Sequence, residues 1–138
     1  MEIKLIGATL ISKEEYKANN IQPYEAWWWT RTADKPKGLV RAVYNDGIGA
    51  SPTKFILGVV PVLILQKKMK CRKKIRYAGY TFTVLKDGIA ICDRVVKNMP
   101  FREDWQAVDA SLYDVSDVKI WLDSWFSANG DIAEIIED

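Results

Sequence analysis

The sequence predicts an α+β fold, a small mixed or antiparallel sheet with two or three helices. Three observations predict it. β-Branched and aromatic runs alternate with turn-forming residues, as where Leu39–Tyr44 meets Asn45-Asp46-Gly47. Ser12 and Glu15 stand at the spacing of a helix-opening capping box. Apolar residues recur at three- and four-residue intervals after Ser116, which marks an amphipathic helix. At 138 residues, 49% hydrophobic and 28% charged, the chain suits one domain, 1–138, around one core.

Ile3–Ile6 reads as a short strand. A helix follows over Lys13–Ala18, ended by Asn19-Asn20, because Asn tolerates the left-handed conformation. Trp27–Thr32 and Leu39–Tyr44 read as strands, joined by a turn at Asp34–Gly38. Asn45-Asp46-Gly47 supplies the positive-φ residues of a tight hairpin, and Ser51-Pro52-Thr53 a loop. Val59–Leu65 is an apolar strand, with Pro61 placed where no ladder partner needs its N–H. Gly79–Leu85 and Ile89–Asp93 form a hairpin around Lys86-Asp87-Gly88. Ser116 caps a helix bearing Val118, Trp121, Leu122, Trp125 and Phe126 on its apolar face, stopped by Asn129-Gly130. Asp131–Glu137 reads as a last short helix.

Composition narrows the chemistry. With no histidine, the chain lacks Ser-His-Asp and Cys-His catalysis and the commonest zinc ligand and neutral-pH base. Cys71 and Cys92 make no disulfide framework. Met1–Ile6 has no basic region ahead of a long apolar stretch, and the apolar run Phe55–Leu65 is broken by Gly58 and Pro61. These features predict a cytoplasmic protein with free thiols, no membrane segment, no cofactor and no metal. Charge is uneven: residues 1–101 carry 18 Lys and Arg against 8 Asp and Glu, and residues 102–138 carry 2 against 10. Such asymmetry steers a charged partner, or forms two complementary faces of one domain.

Two groups of candidate binding residues stand out. Trp27, Trp28 and Trp29 form a stacking platform or core, with Trp28 facing opposite to Trp27 and Trp29 on a strand. Arg31 shares the latter face and binds an anion or pairs with a structural acid. The second group is Lys67, Lys68, Lys70, Arg72, Lys73, Lys74 and Arg76, seven cations in ten residues. They hold phosphate, or form the solvated end of a long hairpin. Asp109, Asp114, Asp117 and Asp123 lack ligand-loop spacing and read as helix-associated acids. Cys71, among lysines, is the one nucleophile with a cationic setting.

Several motifs carry a family resemblance. Trp28-Trp29-Thr30-Arg31-Thr32 resembles the W-W-L-R-[ST] signature of the bacterial family called domain of unknown function 6273. Leu10–Glu15 resembles its L-L-S-x-E-E helix entry, Asp46-Gly47 its turn, and Gly58–Leu63 its closing G-V-R-P-A-L strand. The family's opening strand and helix are matched by Gly79–Leu85 and Tyr113–Phe126, which come second here. The chain thus resembles a circular permutation, with 1–66 matching the family's C-terminal half, 77–138 its N-terminal half, and 67–76 a basic connector. Thr30, Ala33-Asp34 and Val60 depart from the family's Leu, Pro-Gly and Arg.

The resemblance implies a C-type-lectin-like or sulfatase-modifying-factor-like fold with Val59–Leu65 paired to Gly79–Leu85. It also implies a phage- or mobile-element-encoded protein acting on a host factor. The functional expectation is a non-catalytic module that binds a macromolecule, foremost a protein. A nucleic-acid-binding protein using 67–76 is the alternative, and a small enzyme using Cys71 or carboxylates the remote one.

Overall fold

The structure, a computed structural model, describes residues 1–21, 23–34 and 38–136. It is mixed α+β and mostly antiparallel, with two sheets. Its strands are β1 (Glu2–Thr9), β2 (Trp28–Asp34), β3 (Leu39–Tyr44), β4 (Gly47–Pro52), β5 (Ile56–Val59), β6 (Val62–Leu65), β7 (Lys74–Tyr77), β8 (Tyr80–Val84), β9 (Ile89–Cys92), β10 (Lys97–Pro100) and β11 (Ile132–Ile136). Helices α1 (Lys13–Ala18) and α2 (Asp117–Asn129) complete it, with a 3-10 turn at Tyr113–Val115. Six strands close a barrel in the order β1-β11-β7-β8-β9-β6, and five form an open sheet, β10-β5-β2-β3-β4.

Local signals place the helices. Ser12 Oγ accepts the Glu15 N–H at 3.0 Å, and Glu15 Oε1 accepts the Ser12 N–H at 2.9 Å, so the capping box closes in both directions. Ser116 Oγ likewise accepts the Lys119 N–H and opens α2. The end of α1 differs from expectation: Asn19 is extended, at φ −122°. Its side chain terminates the helix instead, with Nδ2 donating to Glu15 O and Oδ1 accepting the Lys86 N–H. Of Asn45-Asp46-Gly47 only Gly47 has positive φ, and Ser51-Pro52 is the end of β4 rather than a loop. The expected Asp34–Gly38 turn falls on residues 35–37, outside the described residues.

The run Val59–Leu65 is two strands in different sheets. β5 ends at Val59 and β6 starts at Val62. Pro61 sits at the break, where its missing N–H leaves no ladder gap, and its carbonyl accepts the Cys92 N–H at 2.9 Å. The implied pairing of Val59–Leu65 with Gly79–Leu85 is replaced by another. β6 pairs with β1 and β9, and β9 stands between β6 and β8. Two tight local hairpins, β7–β8 and β8–β9, explain the order. Ala78 and Gly79 turn the first with φ of 54° and 84°, and Asp87 and Gly88 the second with 69° and 75°.

The basic segment is therefore more than a connector, since Lys74–Tyr77 is a barrel strand. Asp131–Glu137 is a second correction. Ile132–Ile136 is β11, and it closes the barrel between β1 and β7. β-Branched Ile132, Ile135 and Ile136 suit a strand, and Gly130 at φ 82° turns the chain into it; Glu137 lies outside the described residues.

Two cores result, with β2 as the wall between them. Trp28 joins the core of the barrel side, which includes Leu63, Ile75, Phe82 and Val84. Trp29, one residue on, points the other way, into a core with Leu57, Val59, Phe101, Val118 and Leu122. α2 covers that second core.

Candidate anion-binding site

The expected site residues separate on the structure. Trp28 and Trp29 are 2% and 0% exposed, so their rings are core rather than platform. Trp28 packs edge-on against Tyr16 and Tyr24, and Trp29 Nε1 donates to Met99 O at 3.0 Å. Trp27 is 48% exposed and packs edge-on against Tyr44 at 4.7 Å between ring centroids. Arg31 turns to α1 rather than towards Trp27. A register shift in β2 after Trp29 lets the Arg31 N–H reach Ile11 O, and its guanidinium donates to Glu15 at 2.7 Å and to Leu10 O. Burial pushes the Glu15 carboxyl up. Hydrogen bonds from Arg31 and the Ser12 N–H outweigh that effect and hold it below its ordinary value. Arg31 is thus engaged inside the fold.

Three of the four acidic candidates are occupied in a similar way. Asp117 Oδ2 accepts the Glu103 N–H at 2.6 Å, while Asp109 pairs with Arg102 and Asp123 with Lys119. Among the described residues, no group of three or more Cys, Asp or Glu is placed to hold a metal ion. Cys92 is buried, and burial pushes its thiol up to about 11, far from a thiolate at neutral pH. Cys71 is exposed.

The seven cations behave differently. Lys67, Lys68, Lys70, Arg72, Lys73, Lys74 and Arg76 are all exposed, and none forms an ion pair among the described residues. They make an arch from the end of β6, across the barrel mouth and down β7. Strand alternation turns Ile75 and Tyr77 inward and leaves Lys74 and Arg76 outside. The arch is bounded by acids. Arg76 lies opposite Glu134, which lies opposite Glu2, across β7, β11 and β1. On the other side, Asp87 sits in the β8–β9 turn and Asp93 follows the end of β9.

At Arg72 and Lys74 the arch meets a cavity of about 310 Å³. Its floor is the outer face of β8 and β9, with Thr83 and Ile91 in register. Asn20, Ile21, Pro23 and Tyr24 lie over that face as a wall, held by the Tyr24 hydroxyl donating to Cys92 O at 2.5 Å. Burial, reinforced by Cys92 and Asp93, raises the Tyr24 phenol and keeps it a neutral donor. Arg72 and Lys74 line the cavity, and Lys74 Nζ donates to Thr83 Oγ1 at 2.6 Å. Sequence reasoning found these two cations but missed Tyr24, Thr83 and Asp93: the β7–β8 register sets Thr83 opposite Lys74, Asp93 follows β9, and the folded loop brings Tyr24.

No helix among the described residues is long and apolar enough to cross a membrane. No protein-family model matches the chain, and no curated protein and no solved structure matches it.

Proposed function

We propose that this protein is a non-catalytic recognition module whose cationic arch docks on an acidic protein surface. The carrying observation is the arch itself: seven exposed cations, free of ion pairs among the described residues, running onto β7 of a closed barrel. Clustered cations speed encounter with an acidic surface and orient it on arrival. The bounding carboxylates favour a protein over a nucleic acid. A duplex presents one charge per about 1.7 Å along its axis and runs on past any short patch. Here its phosphates would meet Glu134 and Glu2 on one side and Asp93 on the other. A protein surface of limited size can match both the patch and its rim.

The reading rests on the arch and not on the family resemblance, whose expected strand pairing gives way to a β6–β9 pairing. The test is binding of poly-L-glutamate and of double-stranded DNA, matched in charge, at low and moderate salt. Glutamate polymer binding at least as well as DNA is the expected result. DNA binding the more tightly, with a steep salt slope, would replace this proposal with the nucleic-acid reading.

A further inference from the structure

The cavity beside the arch has a chemical pattern of its own. Cations stand at one end and a carboxylate at the other, with apolar side chains beside them. Arg72 is fixed at its end by its N–H donating to Val84 O at 2.9 Å. Asp93 is fixed at the other by its N–H donating to Thr81 O at 2.9 Å. Those two anchors are three residues apart on β8, about 10 Å at the rise of an extended strand. Ile21, Leu85 and Ile91 complete the lining. Asp93 Oδ1 accepts from Arg94 Nε at 3.3 Å, which leaves Oδ2 without a partner among the described residues.

The backbone at Arg72 adds an independent observation. Arg72 has φ 75°, a region that L side chains rarely adopt. The Val84 N–H donates to Lys73 O while Val84 O accepts from Arg72, so two residues of one strand face one of the other. This is a β-bulge whose first position, in the left-handed region, ordinarily belongs to glycine. The chain holds an arginine there instead. Ala78 and Asp87 hold the same region in hairpin turns, whereas the side chain of Arg72 lines the cavity.

We propose that this cavity binds an apolar α-amino acid residue with a free carboxylate. The carboxylate meets Arg72 and Lys74, the side chain covers Leu85 and Ile91, and the N–H on the same carbon donates to Asp93. All three groups belong to one residue, and a cavity of about 310 Å³ lies at the small end of ligand sites. A free amino acid and the C-terminal residue of a peptide both carry this chemistry. The inference goes beyond the docking of an acidic surface. It stands if poly-L-glutamate fails to bind, because it needs only two of the seven cations.

The test titrates the full chain by NMR with N-acetyl-L-leucine, N-acetyl-L-leucinamide and free L-leucine. The acid should shift the amides of Arg72, Thr83 and Asp93, and the uncharged amide should bind at least about tenfold more weakly, since a charge-assisted contact is lost. Tighter binding of free leucine than of the acetylated acid identifies a free amino acid as the source, and the reverse identifies a peptide C-terminus. Arg72→Gly should lose binding while its melting temperature holds or rises, and Lys74→Gln should weaken binding in an intact fold. Equal binding of acid and amide, no binding of any of the three, or a lower melting temperature for Arg72→Gly would overturn the assignment.

Discussion

The barrel and the open sheet are similar in strand number but use their surfaces in opposite ways. The barrel has no edge strand, and much of its outer face is free to carry Lys74, Arg76, Thr81 and Thr83. The open sheet is packed on both faces, with Trp28 and Val43 towards one core and Trp29, Val40 and Ala42 towards the other. Its two edges need protection. β10 carries Lys97 and Pro100. On β4 the Tyr44 ring lies over Gly49, its hydroxyl donates to Ala50 O at 2.7 Å, and Pro52 ends the strand. The contrast teaches that the sheet is committed to holding the fold, while the barrel has surface to spare for a partner.

The largest break in that comparison should come from the sheet. Trp29→Ala empties a fully buried site and orphans Met99 O, and should destabilise the protein by about 3–5 kcal/mol in a denaturant titration. Trp27→Ala, two residues away and half exposed, should change stability by about 1 kcal/mol or less. Equal losses at the two positions would mean that β2 does not divide the cores as described. Gly58→Ala comes next. A Cβ there would lie 2.8 Å from a Val95 methyl and 3.1 Å from Trp27 O, so β5 or its neighbours must shift. About 1–3 kcal/mol of destabilisation is expected, typical of overpacking.

The barrel side gives smaller effects. Tyr77 reaches from β7 to the end of α2, where its hydroxyl donates to Gly130 O at 2.6 Å. Tyr77→Phe should lower stability by about 1 kcal/mol, the net value of one such bond, and should leave the fold unchanged by circular dichroism. Acid should act through Glu15. Its carboxyl is held below the ordinary 4.5, so its contribution is complete above that value and is lost as pH falls below it. Stability measured from pH 6 downwards should therefore fall less steeply in Glu15→Gln than in the wild type. Parallel curves would remove the Arg31–Glu15 pair from the account.

These contrasts also show what the amino-acid sequence makes legible. α1 and the start of α2 are readable because Ser12, Glu15 and Ser116 act on residues three positions away. The opposite facing of Trp28 and Trp29 is readable from strand alternation. That both faces are buried is not, because it depends on a second layer built from residues 99–122. β11 escapes for the same reason. Its ladder partners, β1 and β7, lie far away in the chain, and five residues after a helix offer no local pattern to separate strand from turn. Pro61 interrupts the apolar run in the sequence, but nothing local sends its halves to two different sheets. The arch is legible as composition. The cavity is not, since it requires Ile21, Pro23 and Tyr24 to lie over β8 and β9, and nothing in an arginine announces a left-handed bulge.

The central claim is that the arch binds and the cores fold, each without the other. Lys67, Lys68, Lys70 and Lys73 touch no described acid, so replacing all four with Gln tests it most directly, by thermal unfolding and poly-L-glutamate titration on one sample. An unchanged melting temperature is expected, because exposed substitutions stay within about 0.5 kcal/mol each, together with lost binding. Binding that survives the four substitutions, or a fold that fails along with it, would show that the arch is not the binding surface or is not independent of the cores.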